Sequence, residues 1–342
     1  MPSSKSKRPN LLRILFLLAL MAGTVWIIRK HAAPTWHENS GRIFGTTYTI
    51  KYCADRDLSP EILAELQAVD RSLSMFNPQS TIARINRNDT DAADARLAEI
   101  LQLSNRISQS TEGAFDVTVA PLVNAWGFGF ENADSITPEQ VDSILQFVGW
   151  KKVTLQQGRI RKQDRRLMMD FSAVAKGYGV DCAARILEKH GVKDYYVWIG
   201  GEMRIKGHNP DGKVWVIGIQ NPTTDSADPA SQIPQTAVRL TDCALATSGN
   251  YNRYYIKDGR RIAHTIDPHT GYPAGHSLLS ATVRAHDCAT ADALATAFMS
   301  MGTDKALAYL KKHTDVAAYL ISADSLGQPL IHKSGTWDEI CP

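Results

Sequence analysis

The sequence DFSAVAKGYGVD, at residues 170–181, is the stretch that decides the fold of this 342-residue chain. We predict a strand over residues 166–171, because its centre is apolar, and a helix that follows it over residues 172–190. A glycine inside a helix costs about 1 kcal/mol relative to alanine. Gly177 and Gly179 therefore indicate that a ligand or another element lies close to this helix.

The start of this predicted helix is suited to bind an anion. The free N–H groups of a first helical turn point toward a ligand, and the ammonium of Lys176 adds a positive charge within reach. Tight packing of the helix on the sheet, beside an incidental lysine, explains the same residues equally well. The pattern alone leaves both interpretations open.

A second pattern is DALAT at residues 292–296, within a helix that we predict over residues 289–301 and that ends at Gly302. Asp292 and Thr296 are four residues apart and share a helix face, opposite an apolar stripe that we expect to face the core. Carboxylate and hydroxyl oxygens suit a hard cation such as Mg²⁺, which also binds substrate phosphates. The alternative is a polar face that only meets water.

The N-terminus carries a targeting pattern. Basic residues occur within residues 1–10, and residues 11–28 are almost entirely apolar. This predicts a signal anchor or signal peptide at residues 1–30, with the N-terminus inside and the body exported. We expect a linker at residues 31–41 and a catalytic domain at residues 42–340.

Strand and helix patterns alternate without a regular βαβ rhythm after the anchor. This predicts the α+β class, with a mixed, largely antiparallel sheet flanked by helices, in one large domain or two tightly packed lobes. The net charge is only +3, and no basic stretch is interleaved with aromatics, which argues against nucleic-acid binding. The five scattered cysteines show no CxxC spacing and so exclude a cysteine-based zinc site. The other predicted elements are strands at 43–51, 195–199, 214–220 and 280–285, and helices at 60–75, 93–110 and from 137–140 onward.

Eight blocks of sequence, read in order, resemble the FAD:protein FMN transferase family (ApbE-type flavin transferases). They span about residues 40–335 and begin at Phe44, Ser74, Gly113, Asp170, Trp198, Ala246, His264 and Ala291. The resemblance implies a single α+β domain related to the T-fold. It also implies Mg²⁺-dependent transfer of FMN from FAD to a Thr or Ser hydroxyl of a partner protein, with release of AMP.

The resemblance implies roles for particular residues. The side chains of Asp292 and Thr296 and the carbonyl of Ala173 would hold the cation. His264 is the candidate for activating the target hydroxyl, with Asp267 as the alternative proton acceptor, and Asp292 is the second catalytic residue. The residues expected to bind the flavin nucleotide are Phe44, Phe76, Ala114, Phe115, Asp116, Asp170, Lys176 and Ile266.

Three positions depart from some relatives. Some members have methionine at the position of Phe44 and tyrosine at the position of Phe76. The phenylalanine at position 76 cannot make the hydrogen bond to FAD that a tyrosine hydroxyl makes, but its ring can still stack. Ala295 stands where some relatives have a further carboxylate near the metal.

The resemblance also implies partners and a location. The acceptor would be a flavoprotein subunit of a membrane or periplasmic electron-transfer system. The chain would sit in the bacterial inner membrane through its N-terminal anchor, with the catalytic domain facing the periplasm. An FAD pyrophosphatase that uses water as acceptor, or a non-catalytic flavin-binding protein, are the alternative functions.

Overall fold

A computed structural model describes residues 11–31, 34–128, 136–220, 222, 234–250, 254–257, 260–334 and 337. Its helices are α1 (Leu11–His31), α2 (Ser59–Leu73), α3 (Thr81–Asn86), α4 (Ala95–Ser110), α5 (Ala120–Ala125), α6 (Pro138–Leu145), α7 (Ala175–Lys189), α8 (Cys288–Met301) and α9 (Thr303–Lys312). Within these described ranges, no helix has both the length and the apolar character that crossing a membrane requires.

The first seven strands are β1 (Thr35–Ile43), β2 (Thr46–Ala54), β3 (Val153–Gln156), β4 (Arg159–Lys162), β5 (Tyr195–Ile199), β6 (Glu202–Lys206) and β7 (Trp215–Gln220). The strands that follow in the described residues are β8 (Pro234–Leu240), β9 (Cys243–Gly249), β10 (Tyr254–Lys257), β11 (Arg260–Ala263), β12 (Leu278–Ala285), β13 (Ala317–Ala323) and β14 (Pro329–Lys333).

An eight-stranded sheet organises the domain. Its order is β1-β2-β5-β6-β9-β12-β13-β14, and every neighbouring pair is antiparallel. Three smaller antiparallel pairs, β3–β4, β7–β8 and β10–β11, accompany it. The predicted α+β class with an antiparallel sheet is therefore confirmed, whereas the relation to the T-fold stays a prediction.

The two faces of the large sheet carry different layers. Arg204 of β6 reaches Asp181 of α7, at 3.1 Å between Nη1 and Oδ1, so α7 lies on that face. The neighbouring Met203 and Ile205 point the other way, because side chains alternate along a strand. They share a buried cluster with Trp215 of β7 and other residues of the β7–β8 hairpin. The hairpin and the helices therefore cover opposite faces.

Helix α8 is the most buried helix of the described fold. Its alanines and Leu294 pack in the main core, and the predicted polar face is also enclosed: Asp292 is only 2 % exposed. The alternative of a polar face that only meets water is therefore wrong for Asp292. Small side chains let α8 pack closely on every side, against α7 as well as β9 and β12.

Beyond the start of the domain, the predicted elements agree with the structure except around residues 166–174. Helix α6 begins within the predicted start at residues 137–140, and the structure shows there a capping box of Thr137 and Gln140. Residues 166–171 form no strand, although Leu167 is buried, because they pair with no neighbouring strand among the described residues. Helix α7 consequently begins at Ala175 and not at residue 172.

The start of the domain also differs from the prediction. Residues 35–43 pair with β2 along their whole length, so most of the predicted linker at 31–41 belongs to the sheet. The predicted strand at 43–51 is interrupted at its beginning by a turn at Phe44 and Gly45, both of which have positive φ angles. Glycine adopts this conformation without strain.

Candidate active site

A cavity of about 680 Å³, which we call the central cavity, gathers almost all of the predicted site residues. This volume is typical of sites that bind small molecules and cofactors. The predicted residues that line it are Phe76, Ala114, Phe115, Asp116, Asp170, Ala173, Lys176, His264, Ile266, Asp292 and Thr296. Segments far apart in sequence therefore meet at one site.

Phe44 is the predicted residue that the structure places elsewhere. It lies at the turn between β1 and β2, and a Cβ atom added to Gly179 of α7 would overlap its ring. Phe44 therefore contacts α7 from outside the cavity. Phe76, in contrast, is 79 % exposed at the rim, where a ring can cover a planar ligand.

Close contact between α7 and α8 positions the predicted cation ligands. Asp292 Oδ2 accepts a hydrogen bond from the N–H of Gly177 at 3.0 Å. A Cβ on Gly177 would overlap the carbonyl oxygen of Cys288, so only glycine permits this approach. In a regular helix the Gly177 N–H would donate to the carbonyl of Ala173. That carbonyl, at the cavity wall, therefore lacks its usual helical donor.

Hydroxyl groups continue the site along α8. Thr296 Oγ1 lies 3.1 Å from Ser248 Oγ on β9, and both residues line the central cavity. Ser300, one helical turn further on, lines the cavity as well, and its Oγ is buried without a hydrogen-bond partner. Asp292, Thr296 and Ser300 thus form a row of oxygens at four-residue spacing.

Lys176 lies between two buried carboxylates. Its Nζ is 2.8 Å from Glu202 Oε1 and 3.9 Å from Asp292 Oδ1. Although burial would lower the pKa of the Lys176 ammonium, the charges of Asp292 and Glu202 raise it above its usual value. Burial raises the pKa of the Asp292 carboxyl, and the charge of Lys176 opposes that effect. With all three groups ionised, the cluster carries a formal charge of −1.

Glu202 is a site residue that the sequence analysis missed. It follows Gly200 and Gly201, which both have positive φ angles, in the turn from β5 to β6. The residue is 2 % exposed, and its Oε2 has no hydrogen-bond partner. Burial raises the pKa of its carboxyl to about 7. An acidic residue directly after a Gly-Gly pair between two predicted strands was the signal available in the sequence.

Two aspartates of the predicted flavin site fix loops of the cavity wall. Asp116 Oδ1 accepts from the backbone N–H and the hydroxyl of Thr118, both at 2.7 Å, and its Oδ2 accepts from the N–H of Trp150 at 2.7 Å. Burial raises the pKa of the Asp116 carboxyl. Asp170 Oδ1 accepts from the N–H of Ser172 at 2.8 Å and thereby shapes the turn into α7.

His264 is the predicted proton acceptor. It lies at the central cavity, half-buried, with its ring edge-to-face with Phe128 at 6.4 Å between centroids. The alternative acceptor, Asp267, is not among the lining residues, and its Oδ1 lies 3.1 Å from His269 Nδ1. The structure therefore favours His264 over Asp267 on position.

The donor set fits a hard cation. Two buried carboxylates face one ammonium, so a buried anionic site would gain from an added positive charge. The carboxylate, hydroxyl and carbonyl oxygens at the cavity are the ligand types that Mg²⁺ takes, with its remaining positions left for water or phosphate. In the part of the chain that the structure describes, no cluster of three or more His, Cys, Asp or Glu side chains could hold a metal by itself.

Comparison with known proteins identifies the family. The model of the ApbE family matches residues 44–320, which is most of the chain. This chain belongs to the ApbE family. The match contains every predicted site residue, including Phe44 at its first position.

Individual relatives agree with this assignment. The FAD:protein FMN transferase of Haemophilus influenzae is 39% identical over 299 residues, which cover 82% of this chain and 85% of the relative. The FAD:protein FMN transferase of Vibrio cholerae is 36% identical over 296 residues, covering 83% and 87%. The solved structure of flavin transferase ApbE from Vibrio cholerae has a TM-score of 0.79 and 32% identity, and covers 90% of this chain and 99% of that chain.

These similarities confirm two predictions made for this ApbE-family chain. The resemblance to the flavin transferases is confirmed, and so is the prediction that the chain is an enzyme of that family. The individual roles of the site residues stay predictions.

Proposed function

We propose that this chain catalyses Mg²⁺-dependent transfer of the FMN part of FAD to a Thr or Ser hydroxyl of an acceptor protein, with release of AMP. The observation that carries the proposal is the cluster of Lys176 with the buried carboxylates of Asp292 and Glu202, beside the Ala173 carbonyl and the Thr296 hydroxyl. This cluster suits a cation that binds a diphosphate. The names of the relatives supply the flavin and the protein acceptor.

The proposed chemistry is attack of the acceptor hydroxyl on the FMN-side phosphorus of FAD. A new P–O bond forms to the acceptor oxygen, the P–O bond to the bridging pyrophosphate oxygen breaks, and AMP leaves with that oxygen. His264 takes the proton from the attacking hydroxyl, because its ring lies at the cavity. Such reactions depend mainly on positioning and on stabilising charge.

The chain's own residues would hold the cation and the flavin. Asp292, Thr296 and the Ala173 carbonyl would be the protein ligands, and a bound Mg²⁺ would neutralise charge on the pyrophosphate oxygens. Lys176 keeps the two carboxylates from repelling each other in the absence of substrate. Phe76 at the rim and the loop of Phe115 would contact the flavin nucleotide.

We also propose where the enzyme works. The basic residues before the apolar run at 11–28 support an orientation with the N-terminus inside. The catalytic domain would then face the periplasm at the inner membrane and modify a flavoprotein subunit of an electron-transfer system there.

The test is incubation of the purified chain with FAD, Mg²⁺ and the apo form of a periplasmic electron-transfer flavoprotein. We expect covalent flavin fluorescence on the acceptor, together with one AMP for each flavin transferred. Free FMN without labelled acceptor would indicate a pyrophosphatase, and unaltered bound FAD would indicate a flavin carrier. Either result would overturn the proposal.

A matched pair of variants tests the site. Asp292→Asn preserves volume but removes one charged ligand, and should reduce transfer by at least about 100-fold, or roughly 3 kcal/mol of transition-state stabilisation. Asp304→Asn removes an exposed carboxylate from α9 and should transfer FMN at the normal rate. Normal activity in Asp292→Asn would exclude it from the cation site.

A further inference from the structure

A second concave region lies on the face of the large sheet that carries the β7–β8 hairpin. We call it the aromatic groove, and its volume is about 590 Å³. It is lined by Thr49, Lys51, Tyr196, Trp198, Asn209, Pro210, Trp215, Val216 and Ile217. None of the site residues predicted from the sequence lies in it.

The aromatic groove continues into the central cavity along β7. The first half of this strand, residues 215–217, lines the groove, and the second half, residues 218–220, lines the central cavity. Trp198 of β5 lines both. A chain that lies beside β7 in the groove would therefore reach the central cavity at the end of that strand.

The groove runs along a strand edge that is available for pairing. In the described residues β7 pairs with β8 alone, and no residue of β8 lines the groove. The groove therefore lies at the opposite edge of β7. An unpaired edge presents a row of N–H and C=O groups that an extended segment from another protein can pair with.

Aromatic side chains form the floor of the groove. Tyr196 and Trp198 lie two residues apart on β5 and face the same side, opposite Lys51 and Thr49 of β2. Trp215 stacks on Tyr196, with 5.3 Å between ring centroids. Rigid aromatic surfaces of this kind are enriched where proteins bind partners. The neighbouring Val216 is 60 % exposed, although it is apolar.

We propose that the aromatic groove binds an extended segment of the acceptor protein as an added strand beside β7. The segment's Thr or Ser hydroxyl would then enter the central cavity past Trp198. This inference rests on the proposed function, because an enzyme that transfers a group to a protein must admit a polypeptide to its site. A strand edge recognises backbone, which suits a polypeptide better than a second small molecule.

The experiment measures flavin transfer to the acceptor protein. It also measures two properties of the same variants that do not involve the acceptor, namely FAD affinity and thermal stability. Val216→Asp places a charge in the groove, and Leu326→Asp places the same charge at an exposed apolar residue, 82 % exposed, in the turn between β13 and β14. The probe is an apo electron-transfer flavoprotein that the wild-type chain makes covalently fluorescent. We expect the KM for this acceptor to rise about 10-fold or more in Val216→Asp and to stay unchanged in Leu326→Asp.

Two further readouts separate docking from damage to the fold. FAD affinity and thermal stability of Val216→Asp should match those of Leu326→Asp, because Val216 does not line the central cavity. A second variant, Thr49→Trp, fills the groove from β2 and should raise the KM for the acceptor in the same way.

The outcomes distinguish this inference from the proposed function. An unchanged KM for the acceptor in both groove variants, with normal wild-type transfer, overturns the groove alone. Absence of transfer by the wild-type chain overturns both proposals. A concentration-dependent dimer that both groove variants abolish would assign the groove to a second copy of the chain and also overturn the inference.

Discussion

At the scale of single residues, Lys176 shows how the site differs from its sequence pattern. The sequence indicates a lysine ready for a phosphate, yet its ammonium lies 2.8 Å from Glu202 and also faces Asp292. The cluster contains two carboxylates and one ammonium, so it attracts a cation more strongly than an anion. The lysine therefore acts together with a cation and does not replace it.

Glu202→Gln tests this reading. The change removes one negative charge from the cluster but keeps the side-chain shape. We expect the Mg²⁺ concentration for half-maximal transfer to rise about 10-fold or more, as for other partners of metal ligands, while Glu139→Gln, an exposed carboxylate of α6, leaves it unchanged. An unaltered Mg²⁺ requirement in Glu202→Gln would show that this carboxylate does not act on the cation site.

Asp181 provides a pH-dependent contribution to stability. Its carboxylate accepts hydrogen bonds from the N–H groups of Cys288 at 3.0 Å and Ala289 at 2.9 Å, at the start of α8. Burial raises the pKa of the Asp181 carboxyl to about 6 from its usual 3.8. Between these values the folded chain keeps a proton that the unfolded chain has lost. The free energy of unfolding should therefore fall as pH rises through this window.

Denaturant unfolding of wild type and Asp181→Asn, at half-unit intervals from pH 4 to pH 7, measures this contribution. The stability of the wild type relative to the variant should decrease by an amount on the order of 2 kcal/mol from about pH 4 to about pH 6, and then stay constant. A difference that grows with pH over that interval would contradict the assigned direction of the pKa shift.

At the scale of elements, the contact between α7 and α8 is the decisive one. Glycine has a low helix propensity, but at position 177 it lets the N–H donate to Asp292 and the Cα lie against the carbonyl of Cys288. The cost to helix formation is about 1 kcal/mol. In return the two helices bring the Ala173 carbonyl and the Asp292 carboxylate to one cavity.

Gly177→Ala should lower stability although alanine favours helices. The added methyl would overlap backbone atoms of α8, and overpacking of this kind costs about 1–3 kcal/mol or more, which exceeds the gain in propensity. We expect a lower thermal midpoint and a weaker Mg²⁺ response. Gly275→Ala, where a Cβ meets open space, is the control. A Gly177→Ala variant as stable and as active as wild type would show that the helices move apart without consequence.

The sequence predicts elements well where the signal is local. The capping box of Thr137 and Gln140 specifies the start of α6 by its own hydrogen bonds, and the prediction holds. Residues 166–171 have the apolar character of a strand, but pairing depends on a partner that local sequence does not show. The burial of Asp292 and the role of Glu202 depend likewise on α7 and the β5–β6 turn, which are distant in sequence.

At the scale of the whole molecule, the central cavity joins segments from Met75 to Ser300. Residues near the start, the middle and the end of the domain form the walls of the cavity. A ligand that fills the cavity therefore contacts parts of the fold that are otherwise linked only through the core. A ligand that binds only the folded chain raises its stability in proportion to the logarithm of its concentration over Kd. Binding of FAD should therefore be visible in the stability of the entire domain.

FAD and Mg²⁺ together should stabilise the domain more than either does alone. Without the cation, the carboxylates of Asp292 and Glu202 repel the pyrophosphate, and Lys176 offsets only part of that repulsion. At about 100 times Kd a ligand adds about 2.7 kcal/mol, which corresponds to a rise in Tm of roughly 4 °C for a domain of about 300 residues. We expect this rise with FAD and Mg²⁺, and less than half of it with FAD and EDTA. In Asp292→Asn, FAD with Mg²⁺ and FAD with EDTA should give the same Tm. If FAD with EDTA raised the Tm of the wild-type chain as much as FAD with Mg²⁺, the flavin would bind without the cation.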